Sequence, residues 1–111
     1  MLIIHTTTAS KKEAKKLIKK LFEARLIACA QYHKIKSVYV WKDKPKSRPK
    51  LCKDKEYLLV LKSQKACYSA IEELILTHHS YELPQILYYE ANAYAPYNAW
   101  IEKASNSLLL S

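Results

Sequence analysis

Residues 27–41, IACAQYHKIKSVYVW, decide the fold. The 3.6-residue period of the preceding segment disappears here. Tyr, Val, Ile and Cys dominate, and Ile35, Ser37, Tyr39 and Trp41 alternate with their neighbours, which predicts one long β-strand. At about 3.3 Å per residue such a strand runs to about 50 Å. A globule of about 100 residues has a radius of gyration of only about 13 Å. The strand and its partner must therefore project as a ribbon or bend sharply. A projecting ribbon leaves unpaired edges that another subunit would satisfy, so self-association is expected.

Working outward, Leu2–Thr8 is short, apolar and β-branched and reads as a strand. Ser10 then opens a helix with a capping box closed by Glu13. Ala14, Leu17, Ile18, Leu21 and Phe22 form its apolar stripe, with lysines opposite. On the other side of the long strand, Lys42–Lys50 holds Pro45 and Pro49 among charges and reads as a loop. Glu56–Lys62 (EYLLVLK) is apolar on both faces, as a central strand requires. Ser63 is expected to cap a second helix, with Ala66, Cys67, Ala70, Ile71, Leu74 and Ile75 inward and its end near His78-His79. Pro84 cannot donate to a ladder and precedes a strand over Gln85–Ala91. Pro96 fits the first turn of a last helix that puts Tyr97, Trp100, Ile101 and Ala104 on one face. The order βαββαβ, with an extra C-terminal helix, predicts an α+β, ferredoxin-like sandwich: two helices on one face of a four-stranded antiparallel sheet. Residues 1–111 read as a single domain. For the tail Ser105–Ser111, docking of Leu108–Leu110 and fraying are both open.

Glycine is absent from all 111 residues. That excludes the glycine-rich phosphate loops of the common nucleotide enzymes. The formal charge of +9 raises the question of nucleic acid, but Lys11–Lys20 and Lys42–Lys55 are more simply a solvated helix face and a solvated hairpin tip. No run approaches the roughly 20 apolar residues of a bilayer span, and Leu2–Ile4 is too short for a signal-peptide core. No membrane partner is expected. Cys29, Cys52 and Cys67 are odd in number and widely spaced, without a C-x-x-C pair, which points to the cytoplasm. Cys29 and Cys67 read as small buried hydrophobes. Cys52, if exposed beside the basic loop, would be the reactive thiol. Tyr39, Trp41, Tyr97 and Trp100 serve packing or line a cleft.

Seven segments, in order, carry a family likeness: Thr6-Thr7, Glu13-Ala14 with Leu17, Leu26–Ala30 (LIACA), Ser37–Trp41 (SVYVW), Glu56–Lys62, His79–Pro84 (HSYELP) and Tyr97–Ile101 (YNAWI). On these the sequence resembles the CutA (divalent-cation tolerance) family along nearly its whole length. The resemblance implies a homotrimer built by strand pairing between subunits and binding of copper or another divalent cation. It also implies metal ligands at His5, His78 and His79. His5 stands where the family member with proposed copper ligands has cysteine, and imidazole, a harder base, disfavours Cu(I). The topology brings His5, in the upper part of the first strand, toward the same edge as the end of the second helix. Structural duties compete for all three: His5 as a satisfied strand residue, His78 as a complement to the helix dipole, His79 as the holder of Tyr81 and Glu82. The chain departs from the family at Lys42–Lys50, which replaces a tight Gly-Lys turn.

Two other functional classes stand beside this one. A PII-like sensor would bind a small anionic effector in basic clefts between subunits. An RNA-recognition module shares the βαββαβ order, but Glu56–Lys62 has one aromatic and no glycine, so nucleic acid is disfavoured. An enzyme is not expected. Lys62, His79, Tyr81 and Glu82 carry acid–base groups, but no spacing combines nucleophile, oriented base and oxyanion donor.

Overall fold

A computed structural model of the chain describes residues 1–105; the expectation for Leu108–Leu110 falls outside them. Four strands, β1 (Leu2–Thr8), β2 (Cys29–Trp41), β3 (Lys50–Ser63) and β4 (Ile86–Glu90), and three helices, α1 (Lys11–Glu23), α2 (Tyr68–His78) and α3 (Ala95–Ala104), follow one another in the order β1-α1-β2-β3-α2-β4-α3. The sheet order is β2-β3-β1-β4 with every neighbour antiparallel, which is the ferredoxin-like arrangement.

The start of α1 follows from local chemistry. Ser10 Oγ accepts from the Glu13 N–H at 3.1 Å, and the Glu13 carboxylate accepts from the Ala9 N–H at 3.1 Å. The helix ends in a Schellman motif: the Arg25 N–H donates to Phe22 O and the Leu26 N–H to Leu21 O, both at 3.0 Å. That motif needs a left-handed residue, and in a chain without glycine Arg25 supplies it, at φ 58°.

The core lies between the two crossover helices and one face of the sheet. Leu2 and Ile4 of β1 and Leu59 and Leu61 of β3 pack against Ala14, Leu17, Leu21, Ile71 and Ile75. Thr6 lies on this same face, fully buried, and its hydroxyl has no hydrogen-bond partner among the described residues. The alternate residues Ile3, His5 and Thr7 face the other way. α3 reaches this second face at one end, where the Lys62 ammonium donates to Tyr97 Oη at 3.1 Å and lies 5.3 Å from the ring centroid.

Two boundaries differ from expectation. β3 begins at Lys50 rather than Glu56, so Lys50–Lys55 is strand and only residues 42–49 form the loop. Pairing runs unbroken from Cys29↔Lys62 to Trp41↔Lys50. Ser63 does not cap α2. It ends β3 opposite Leu2, and its buried hydroxyl donates to Leu26 O at 2.6 Å. A 3-10 turn over Lys65–Cys67 intervenes before α2. The expected projection of β2 and β3 is observed: the longest dimension is 49 Å and the radius of gyration 15.5 Å, above the value of about 13 Å for a compact chain of this size.

Candidate functional site

β1 and β3 run antiparallel, so the top of β1, the root of the ribbon and the end of α2 meet at one end of the sheet. His79, just past α2, is engaged there at both ring nitrogens. Its Nε2 lies 2.6 Å from Thr7 O, and its Nδ1 accepts the Tyr81 N–H at 3.0 Å. An acceptor at Nδ1 and a carbonyl at Nε2 require the neutral ring with its proton on Nε2. Thr7 is two residues along β1 from His5.

Tyr81, turned over the top of β1 by this contact, reaches the outer face of the ribbon. Its hydroxyl donates to Glu56 Oε1 at 2.9 Å, and Ser37 Oγ donates to Glu56 Oε2 at 2.5 Å. One step further out the Tyr39 hydroxyl donates to Asp54. Burial pushes the Tyr81 phenol well above its ordinary range, with Glu56 adding a hydrogen bond and charge repulsion. Tyr39 is pushed up to about 12, chiefly by its bond to Asp54. The network that His79 serves thus runs through Tyr81 to Glu56, not to Glu82.

His5 is half-buried on the outer face, where its Nε2 lies 3.1 Å from Tyr89 Oη and the two rings meet edge to face at 5.5 Å. His78 is exposed in the last turn of α2. A metal ion needs an imidazole lone pair, and at His79 neither nitrogen offers one. His5 Nδ1 and the His78 ring remain. Among the described residues no three His, Cys, Asp or Glu side chains stand together as a metal-ligand group. Within one subunit the three histidines therefore do not form a closed coordination shell.

The remaining sequence candidates separate. Tyr39 and Trp41 lie on the ribbon, whereas Tyr97 and Trp100 pair on α3 with centroids 5.8 Å apart. Cys67 is buried as expected, its thiol donating to Ser105 O at 2.8 Å. Cys29 is half-buried rather than enclosed, because its register opposite Lys62 puts it on the outer face. Cys52 is half-buried too, its thiol 3.8 Å from Lys50 O. The His79–Tyr81–Glu56–Ser37 chain was only half legible: HSYELP names two members, but Glu56 and Ser37 meet them only through the register of β2 and β3.

The fold and this site define a ferredoxin-like α+β protein in which one imidazole, His79, is linked through Tyr81 to the Glu56 carboxylate where the ribbon leaves the sheet. Residues 2–104 match the family model described as CutA1 divalent ion tolerance protein. The divalent-cation tolerance protein CutA of Pyrococcus horikoshii is 32% identical over 87 residues, which are 78% of this chain and 79% of that protein. The crystal structure of CutA1 from the same organism superposes with a TM-score of 0.82 at 28% identity, over 94% of this chain and 97% of that one. The apo PII-like protein CutA of a Nostoc species shares the fold, with a TM-score of 0.81 at 21% identity over 95% and 97% of the two chains. The chain belongs to the CutA divalent-cation tolerance family.

Proposed function

We propose that the chain works as a homotrimer that binds divalent cations, copper or another, in the response of the cytoplasm to metal ions, and that it is a binding protein rather than an enzyme. The family match over residues 2–104 is the observation that carries this reading. Two features of the subunit support assembly. β2 and β4 are edge strands, and unpaired edges call for a partner. Val38, Val40 and Leu51 on the ribbon are 60–70% exposed, as are Leu87, Tyr88 and Tyr89 of β4 at 42–54%; strand pairing between subunits would cover such side chains.

The cation would take the open nitrogens of His5 and His78, with His79 holding the backbone beneath them and a neighbouring subunit completing the shell. The test is light scattering for mass, then calorimetric titration of metal-free protein with Cu(II), Zn(II) and Ni(II). A mass three times 12.9 kDa and stoichiometric binding lost in His5→Ala/His78→Ala are expected. Binding unchanged in that variant would remove the site. A PII-like reading rests on Lys62, held beside Tyr97 on the outer face; it would show as stabilisation by small anions without metal.

A further inference from the structure

Between Lys34 and Lys55 the chain carries nine lysines and arginines against Asp43 and Asp54, and neither cation binding nor assembly accounts for them. The register sorts these charges by face. Lys36 stands directly opposite Lys55, and Lys53 opposite Val38. Like charges in direct cross-strand pairs are destabilising, and no carboxylate of β2 or β3 shares that face to relieve them. Asp54 and Glu56 project from the other face, where the hydroxyls of Tyr39, Ser37 and Tyr81 occupy them. Among the described residues the one ion pair, Lys65–Glu90 at 3.9 Å, is elsewhere.

Beyond the last pair, Trp41↔Lys50, the loop adds Lys42, Lys44, Lys46 and Arg48, all exposed. A Ser47 N–H to Lys44 O bond of 2.9 Å closes the turn. Pro45 fixes φ at the second position of that turn and Pro49 fixes it two residues beyond, so the cations are presented by a stiffened tip at low entropic cost.

We propose that the basic loop at the tip of the β2–β3 ribbon, beyond the side chains that subunit pairing would cover, binds the phosphate backbone of double-helical DNA without sequence preference. The shape favours this polyanion over others. A two-stranded ribbon fits the B-form major groove, about 12 Å wide, whereas the A-form groove of duplex RNA is too narrow to admit it. Single strands need aromatic platforms within the cationic surface, and the loop over residues 42–49 carries none. A bilayer would need apolar side chains leading with cations behind; here the cations lead, and Val38, Val40 and Leu51 follow.

The experiment is fluorescence anisotropy with a labelled duplex of about 20 base pairs, between about 50 and 200 mM KCl. Binding should weaken linearly in log–log form. Lys44→Gln/Lys46→Gln/Arg48→Gln should lose about tenfold in affinity at the middle of that range and make the salt slope shallower by about 2.7, three phosphates' worth. Lys11→Gln/Lys15→Gln/Lys19→Gln, on the solvent side of α1, should keep the wild-type slope. Light scattering and melting of each variant confirm that mass and fold are retained, so a loss reads on the tip and not on the cation-binding trimer. The proposal is overturned by no binding at the lowest salt, or by equal slopes for the tip variant and wild type. It is equally overturned if duplex RNA, single-stranded DNA or vesicles of phosphatidylcholine and phosphatidylserine bind as tightly as duplex DNA.

Discussion

At Arg25 the absence of glycine has a local energetic consequence. The Schellman motif demands left-handed backbone, and a side chain there costs about 1–2 kcal/mol against the freedom glycine would have. Arg25→Gly should raise stability by about 0.5–1 kcal/mol once the looser unfolded chain is counted; urea unfolding at fixed protein concentration measures it. Thr6 is a second such position. Its hydroxyl is buried between strands and helices without a partner among the described residues, so the isosteric Thr6→Val should stabilise by about 1 kcal/mol. At the other end of α1, Ser10→Ala removes a cap that is in place and should cost about 1 kcal/mol. The cap was readable from S-x-x-E. The left-handed arginine was not, because only glycine or asparagine announces that conformation in a sequence.

The ribbon is the element where sequence and structure part most usefully. Ile27–Trp41 announces a long strand because β-branched and aromatic residues crowd it. Its partner is half hidden: Lys50–Lys55 has no apolar alternation, since out on the ribbon neither face is packed against a core within the subunit. A strand with both faces wet looks like a loop. Where the ribbon joins the body, Tyr81 is held protonated by burial and by its bond to Glu56, and Tyr39 by its bond to Asp54. The folded pKa values lie above the ordinary phenol value near 10, so the folded state keeps protons that the unfolded chain releases. Their contribution is complete below pH 10 and should fade as the pH climbs toward 12. Tyr39 is exposed and screened, so Tyr81→Phe should remove more of this alkaline loss than Tyr39→Phe, as read from urea midpoints across that range.

For the whole molecule, the sequence gives the element order directly, and the sheet order then follows from the few ways such a chain can close. The histidines were visible as residue types, and strand direction gave the expectation that His5 and His79 lie toward one edge. Their free and engaged nitrogens were not visible, because those depend on where the carbonyl of Thr7 and the amide of Tyr81 fall. If subunits associate through the exposed ribbon, Val40→Asp/Leu51→Asp should shift the mass toward 12.9 kDa. A folded circular-dichroism spectrum would confirm that only assembly is lost.

The ribbon also sets an order in time. Trp41↔Lys50 joins neighbours in sequence, whereas Leu2↔Glu90 ties nearly the two ends of the chain. Closing the short loop costs far less entropy, and isolated hairpins form in about 1–10 μs. The part that reaches outward is thus complete while the body behind it is still being gathered. If the proposed trimer forms, a nascent subunit can meet its neighbours before its own sheet is closed, and refolding rates should rise with protein concentration.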